Sequence, residues 1–271
     1  MRVDRVRAVI VGIWLSLIAA GCGGPQFVNP SFPITEQWAR RDMERMKRDP
    51  KPMERPLVVI SGFIDPGLAA LSMHDQMAAL TGDRRIATIS LFECLSFDEC
   101  RRKVIDVVGR AFPNDDPRWT TEVDVIGFSM GGLAARLAAD DGPDHPTGKH
   151  LRVHRLFTID APNRGAARAA EVPVFHPLQR DMRPGSPMLV ALNSHPPGYP
   201  IIAYVRLNDK PVGLWNAAVD GCPLWWIATP PFSNPHTGAV EDPRIIADIA
   251  RRLRGEMPLT SLPPAPLPPE S

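Results

Sequence analysis

The chain has 271 residues, of which 44% are hydrophobic, and its 31 basic and 30 acidic side chains give a formal net charge of +1. This length and apolar content suffice for one sizeable core rather than several. The charges are nearly balanced, and no zinc-finger spacing or glycine-rich phosphate loop occurs, so nothing favours binding of nucleic acid or nucleotides. The sequence therefore predicts one main domain without a nucleic-acid partner.

The first 21 residues have the layout of an export signal. Three arginines precede the apolar run AVIVGIWLSLIAA, which is shorter than the roughly 20 residues that a membrane-spanning helix needs. Residues 18–22, IAAGC, resemble a bacterial lipobox, which predicts cleavage before Cys22 and lipidation of that cysteine. A simple secretory signal is the alternative. The resemblance implies a lipoprotein anchored to a membrane of the bacterial cell envelope, facing the periplasm or the exterior.

Three further cysteines, Cys94, Cys100 and Cys222, are an odd number for an oxidising compartment. Cys94 and Cys100 are six residues apart, so they either close a small disulfide loop or remain two free thiols. We expect Cys222 to be buried.

Two segments lie outside the expected domain. Residues 22–56 are rich in proline and charge around the helix-like TEQWARRDMERMKRD, and this composition predicts a tether and N-terminal extension between membrane and domain. Residues 256–271 end in LTSLPPAPLPPES. Because proline has no amide hydrogen to donate, this tail is predicted to be disordered and to stay out of the sheet.

Between these segments, over residues 57–255, apolar β-favouring runs alternate with helical patterns. The predicted strands are 56–63, 85–91, 122–128, 153–159, 201–207 and 223–229. The predicted helices are 68–80, 96–112, 131–139 and 242–253. The alternation predicts an α/β fold with a mostly parallel central sheet of about six strands flanked by helices.

A serine stands between two glycines in VDVIGFSMGGLAARLAA, at the point where the third predicted strand becomes a helix. A sharp strand-turn-helix elbow raises a serine hydroxyl above the sheet edge and needs small residues two positions before and after it. Gly127 and Gly131 occupy those positions around Ser129. The helix N-terminus beside Ser129 favours a developing oxyanion. Ser129 is therefore the candidate nucleophile.

A serine nucleophile needs a neutral imidazole to take its proton, and the imidazole needs an acceptor that fixes its tautomer. Around an elbow of this kind, the chain order is serine, acid, histidine. Of seven histidines, His236 alone follows every predicted strand and precedes the last helix. His236 is the candidate base.

Three aspartates qualify as the acid by loop position and chain order. Asp209 directly follows the strand IIAYVRL, Asp220 precedes the next strand, and Asp160 ends the earlier strand VHRLFTI. Asp209 is favoured, with Asp220 as the main alternative and Asp160 as a third. For the oxyanion, the candidate donors are the amides of Met130 and of Phe63, the latter in the loop after the first strand.

The motifs resemble, in order, those of the α/β-hydrolase superfamily, and in particular its bacterial lipases and esterases. Besides the serine elbow they are SGF (61–63), FTIDAPNRGA (157–166), DMRPGSPMLVALN (181–193), NDKPVG (208–213) and NPHTG (234–238). In lipases the segment similar to NDKPVG carries the catalytic acid, which favours Asp209, and the segment similar to NPHTG carries the base. Ser61, Asp160 and Asn163 depart from the family pattern, which has a histidine, a glycine and a histidine at those positions.

In such enzymes the segment equivalent to residues 163–195 forms a cap or a substrate-facing surface. We expect an acyl pocket lined by the side chains of Phe63, Met130, Phe175, Met182 and Met188.

The resemblance implies a serine hydrolase of carboxylic esters, with a lipid-like or small ester as substrate, that needs no metal or organic cofactor. Thioesterase or acyltransferase chemistry with the same three residues is an alternative. A non-catalytic envelope lipoprotein that keeps the fold is another, although Ser129, His236 and an eligible acid in the right order argue against it.

Overall fold

A parallel sheet forms the centre of the protein in the computed structural model, which describes residues 28–142 and 148–269. Its strands are β1 (Leu57–Ile60), β2 (Ile86–Ile89), β3 (Val123–Phe128), β4 (Val153–Ile159), β5 (Ile201–Arg206) and β6 (Leu224–Ile227). They lie in the order β2-β1-β3-β4-β5-β6, and every neighbouring pair is parallel. The predicted α/β fold with a six-stranded sheet is confirmed.

Helices connect the strands. They are α1 (Glu36–Arg48), α2 (Leu68–Thr81), α3 (Phe97–Ala111), α4 (Met130–Ala139), α5 (Ala167–Glu171), α6 (Pro177–Asp181), α7 (Pro187–Leu192) and α8 (Pro243–Leu253). Two 3₁₀ turns, Leu214–Ala217 and Thr237–Glu241, flank β6. None of the helices in the described ranges is long and apolar enough to cross a membrane.

The core has two halves because successive strand residues point to opposite faces of the sheet. Val58 and Val125 face the layer of α3 and α4, while Val59 and Ile126 face the layer of α1, α2 and α8. Since both faces are covered, the strands are nearly continuous apolar runs, as expected for a parallel sheet.

The N-terminal segment packs on the domain from residue 28 onward, so residues 28–56 of the predicted tether and extension are an extension and not a tether. Ala39 and Met46 on α1 are buried in the core, and α1 packs along α8. Asp42 on α1 binds the Arg251 side chain of α8 with an Nε–Oδ2 distance of 2.6 Å. Most residues of this helix are charged, so its composition does not reveal the narrow apolar stripe that packs on the domain.

The C-terminal segment up to residue 269 also packs on the domain, which contradicts its predicted disorder. The Ala265 amide donates to Ser31 Oγ at 2.8 Å, and Trp226 Nε1 donates to the carbonyl oxygen of Pro266 at 3.0 Å. Leu267 packs against the apolar cluster around Trp226. Proline cannot donate a hydrogen bond, but its carbonyl accepts one, so a proline-rich segment can dock without joining the sheet.

The signal sequence and Cys22 lie outside the described residues, and their assignment stays a prediction. Cys94 and Cys100 are buried in one apolar cluster. In the structure they are two free thiols and do not form a disulfide. Burial raises the pKa of Cys100 far above its usual value. Cys222 is only partly buried, against expectation.

Candidate active site

Ser129 stands at the turn between β3 and α4, with a backbone conformation that is rare for a residue with a side chain, φ +50° and ψ −124°. A Cβ on Gly127 would lie 2.6 Å from the backbone of Gly132, and one on Gly131 would collide with the carbonyl oxygen of Ile60. Only glycine fits these two positions. The turn holds the Ser129 side chain at the carboxyl edge of the sheet, next to the point where the strand order reverses between β1 and β3.

A hydrogen-bonded chain of three side chains starts at this serine. The His236 Nε2 atom lies 3.1 Å from Ser129 Oγ, and His236 Nδ1 lies 2.9 Å from Asp209 Oδ2. Asp209 is 1% exposed, and its Oδ1 accepts from the amide of Val212. With the ring proton on Nδ1, the imidazole donates to the carboxylate and its Nε2 accepts from the serine hydroxyl. The structure therefore brings together the candidate nucleophile, the candidate base and the favoured one of three candidate acids.

The loop that carries His236 is held by its own side chains. Asn234 Oδ1 accepts from the amides of His236 and Thr237 at 3.0 and 2.9 Å. The ring of Phe128 lies 5.1 Å from the imidazole, centroid to centroid. Together these contacts fix the position and tilt of the ring.

Arg206, at the end of β5, supports the same loop and was missed in the sequence. Its side chain is 1% exposed, and it donates to the Asn234 carbonyl at 3.1 Å and to Ser233 Oγ at 3.0 Å. The Arg206 Nε atom also lies 3.5 Å from Asp242 Oδ2. Burial lowers the pKa of Arg206, against the opposing charge of Asp242. An arginine at the end of the otherwise apolar strand IIAYVR is the signal that could have revealed it.

The other two candidate acids have different surroundings. Asp220 is exposed at the surface, where it pairs with Arg164, and it is not part of the hydrogen-bonded chain. Asp160 is completely buried, and one of its oxygens lies within 4.8 Å of both an Asp209 oxygen and a His236 ring nitrogen. Burial, followed by the charge of Asp209, raises the pKa of Asp160 well above its usual value.

The two residues predicted to supply oxyanion donors come from different segments of the chain. Met130 is the first residue of α4, and Phe63 lies in the turn after β1. A Cβ on Gly62 would lie 3.2 Å from the Ser129 Cβ, so the backbone after β1 comes close to the serine because residue 62 has no side chain.

A pocket of about 670 Å³ opens beside Ser129 and His236. Its walls are mostly apolar and include Phe63, Ile64, Leu68, Phe128, Val172, Phe175, Met182, Val212 and Val240. Three of the five residues predicted to line an acyl pocket, Phe63, Phe175 and Met182, line this pocket. Met130 and Met188 are not among the residues that line it: Met130 is buried in the core, and Met188 lines a separate smaller depression next to α3.

The predicted cap segment forms one wall of this pocket through the short helices α5 and α6. A buried network joins that segment to α4: Arg136 donates to Asn163 Oδ1 at 3.1 Å and to Asn193 Oδ1 at 2.8 Å. Asn163, which replaces a histidine of the family pattern, also donates to the Ala217 carbonyl at 2.8 Å. Ser61, which also departs from that pattern, donates to the Asp65 carbonyl at 3.3 Å.

No protein-family model matches the chain, and no curated protein sequence matches it. Solved structures do. Aspergillus fumigatus lipase B aligns with a TM-score of 0.51 at 12% identity over 87% of this chain and 60% of that protein. Bacillus licheniformis lipase BlEst2 in its propeptide form aligns with a TM-score of 0.50 at 14% identity over 70% of this chain. The alignment spans 48% of that lipase, about half its length. The chain has the α/β-hydrolase fold.

Within this α/β-hydrolase fold, Asp160, Asp209 and His236 are the one group in residues 28–142 and 148–269 with enough closely spaced carboxylate, thiol or imidazole atoms to suggest a metal site. Asp209 Oδ2 and His236 Nδ1 already bind each other at 2.9 Å. These atoms therefore partner one another, and the geometry is that of a hydrogen-bonded acid and base.

A second contact between serine and histidine lies on the surface of the domain. Ser194 Oγ lies 3.1 Å from His195 Nδ1, and His195 Nε2 lies 3.1 Å from Asp140 Oδ1. Ser194 stands after α7, donates its hydroxyl to the Ala191 carbonyl and does not line the apolar pocket. The same residue types therefore occur here without the elbow or the pocket.

Proposed function

We propose that this protein is a serine hydrolase that cleaves carboxylic esters through Ser129, His236 and Asp209. The proposal rests mainly on the hydrogen-bonded chain of these three side chains at the mouth of an apolar pocket. A hydroxyl at a strained elbow, an imidazole acceptor and a buried carboxylate are the parts that nucleophilic acyl transfer needs.

In the first half of the reaction, Ser129 Oγ attacks the acyl carbon while His236 Nε2 takes the hydroxyl proton. Asp209 stabilises the imidazolium and stays ionised. The amides of Phe63 and Met130 donate to the oxyanion of the tetrahedral intermediate. The C–O bond to the alcohol then breaks, and the alcohol leaves with the proton from His236.

In the second half, water attacks the acyl-enzyme. His236 takes one proton from the water, a second tetrahedral intermediate forms, and its collapse releases the carboxylic acid while the proton returns to Ser129 Oγ. His236 thus takes and returns each proton of the cycle, so the proton transfers balance within the pair of Ser129 and His236.

The walls of the pocket favour an acyl chain over a polar substrate. Its volume of about 670 Å³ is in the range of small-molecule sites, and the charged side chains among its lining residues are confined to Asp65, Arg168 and Glu241. Asp65 caps α2 by accepting from the amides of Gly67 and Leu68. Each methylene buried there contributes about 0.8 kcal/mol.

The proposal includes anchoring of this hydrolase to the cell envelope through a lipidated Cys22. Its support is the resemblance of residues 18–22 to a lipobox. Asn29 is fixed to the domain, because its Nδ2 donates to the Trp226 carbonyl at 2.7 Å. The seven residues from Cys22 to Asn29 span at most about 25 Å when fully extended, so such an anchor would keep the domain close to the membrane. Incorporation of labelled palmitate that Cys22→Ala abolishes would support the anchor.

The function is tested by labelling with a fluorophosphonate and by hydrolysis of p-nitrophenyl butyrate. We expect the wild-type protein to be labelled at Ser129 and to release p-nitrophenol. Ser129→Ala should lose the label and at least about 10³-fold of the turnover.

Ser194→Ala is the matched control, because Ser194 also lies 3.1 Å from a histidine nitrogen but outside the pocket. It should keep both the label and the activity. Hydrolysis that survives Ser129→Ala, or disappears with Ser194→Ala, would overturn the assignment. A panel of thioesters and of alcohol acceptors under the same conditions separates ester hydrolysis from thioesterase and acyltransferase chemistry.

A further inference from the structure

Asp160 is a buried carboxyl that the reaction as described does not use. It follows β4, its side chain is fully buried, and its backbone is in the left-handed region at φ +46°. Its Oδ1 accepts from the Arg206 amide at 3.0 Å, whereas its Oδ2 is buried without a hydrogen-bond partner in the described structure. A buried polar atom without a partner costs about 1–3 kcal/mol, so its position needs an explanation.

The neighbouring side chain of Asp209 accounts for the position of this carboxyl. One oxygen of Asp160, one oxygen of Asp209 and one ring nitrogen of His236 lie within 4.8 Å of one another. Two adjacent buried carboxyls cannot both carry a charge at moderate cost, so one of them keeps a proton. Two carboxylate oxygens also cannot hydrogen-bond unless one is protonated.

The surrounding charges decide which of the two keeps the proton. Asp209 directly contacts the His236 imidazole, accepts from the Val212 amide and is therefore favoured as the anion. Asp160 faces Arg206 and Asp242 as well as Asp209, but the Arg206 guanidinium is directed at Asp242 and at the loop of residues 233 and 234.

We propose that Asp160 is a positioning residue that holds one proton, donates it to Asp209 and shares a single negative charge with it. The inference rests on the proposed function, since Asp209 is there the partner of the catalytic base. In the native protein the hydrogen bond from Asp160 holds the Asp209 carboxylate against His236. When Asp209 is removed, Asp160 releases its proton to solvent and becomes the anion beside the imidazole.

The test is a double-mutant cycle that combines Asp160→Asn with Asp209→Ala. Asparagine keeps the acceptor for the Arg206 amide, supplies an N–H donor towards Asp209 and tolerates a left-handed backbone as aspartate does. Alanine at 209 opens space and introduces no amide that competes for His236. The measurements are kcat and KM for p-nitrophenyl butyrate as functions of pH, together with thermal unfolding of each variant.

We expect Asp160→Asn alone to keep kcat within about threefold and to leave the acid limb of the kcat/KM profile in place. In the Asp209→Ala background the same substitution should remove at least a further tenfold of kcat, because it removes the substitute anion. Asp160→Gly, which also suits a left-handed backbone, should give the same further loss in that background and guards against an effect peculiar to asparagine.

Two outcomes would overturn the inference. An equal effect of Asp160→Asn on kcat in both backgrounds would mean a purely structural role. A fall of the acid limb by about one pH unit in Asp160→Asn alone would mean that Asp160 is ionised in the native protein, since an anion beside His236 raises the pKa of the imidazole. Neither outcome affects the proposed function, which is tested separately by Ser129→Ala.

Discussion

His236 Nε2 lies 3.1 Å from Ser129 Oγ although 107 residues separate the two along the chain. The strand β3 that precedes Ser129 is three positions away from β6 in the sheet, which is a distance of about 14 Å. The loop after β6 must therefore return across the ends of β5 and β4 before it reaches the serine. Arg206, at the end of β5, binds this loop on the way.

The first prediction concerns the side chain that holds the end of this loop. Asn234→Ala removes the acceptor for the amides of His236 and Thr237 and should lower kcat by about 10–100-fold, because a small misplacement of the base is costly. Asn234 is exposed, so thermal stability should change little. Steady-state kinetics and a melting curve measure the two effects.

Asn234→Asp is the matched control for this substitution, because it keeps an acceptor oxygen at the same place. It should retain most of the activity. If the alanine and aspartate variants were equally slow, the two hydrogen bonds from the loop would not be the cause.

The second prediction separates the two aspartates that the sequence leaves as the main candidates for the acid. Asp209→Asn should reduce kcat by about 10⁴-fold, because an asparagine amide favours the wrong imidazole tautomer. Asp220→Asn should have a normal kcat, because Asp220 pairs with Arg164 at the surface. The kcat values of the two purified variants decide, and a large loss with Asp220→Asn would contradict the geometry.

The sequence predicts the neighbourhood of Ser129 well because the signals there are local. A strand, two glycines and a helix within 17 residues specify the elbow, and the position of His236 follows from chain order alone. The role of Arg206 depends on a loop that lies 27 or more residues further on, so nothing close to it in the sequence reports the contact.

The packing of the two terminal segments is also difficult to predict from the sequence, for the same reason. Composition favours exposure for residues 22–56 and disorder for the tail, since both are poor in long apolar runs. The surfaces that bury Met46 and receive the Pro266 carbonyl belong to other parts of the chain. Burial of such segments depends on a partner surface that exists only once the sheet and α8 have assembled.

The third prediction tests whether α1 is a stabilising part of the domain. Burial alone would raise the pKa of Glu256, but hydrogen bonds from Arg45 on α1 and from Arg254 outweigh it and lower the pKa to about 2. The folded protein thus binds the proton less tightly than the unfolded chain does. The stabilisation is complete above the unfolded pKa near 4.5 and is lost as the pH falls towards 2.

Glu256→Gln should accordingly lower the free energy of unfolding at pH 7 by about 1–2 kcal/mol, after allowance for solvent screening. The difference from the wild-type protein should shrink between pH 4.5 and pH 2. Urea unfolding at a series of pH values measures it. A difference that stays constant over this range would show that the charge of Glu256 does not hold α1 in place.

The fourth prediction concerns the length of the acyl chain that, under the proposed function, the pocket accepts. Met182 lines the pocket and is 5% exposed, so Met182→Trp should fill part of the space in which a long chain would lie. Each methylene that is excluded from burial costs about 0.8 kcal/mol, which is about fourfold in kcat/KM. We expect kcat/KM for p-nitrophenyl decanoate to fall by two or more of these fourfold factors, while kcat/KM for p-nitrophenyl acetate stays nearly unchanged.

Val190→Trp is the control, because it places the same ring on an exposed position of α7 outside the pocket. It should leave kcat/KM unaltered for every ester of the series. A uniform loss over all chain lengths in Met182→Trp would mean that the acyl chain does not occupy this part of the pocket.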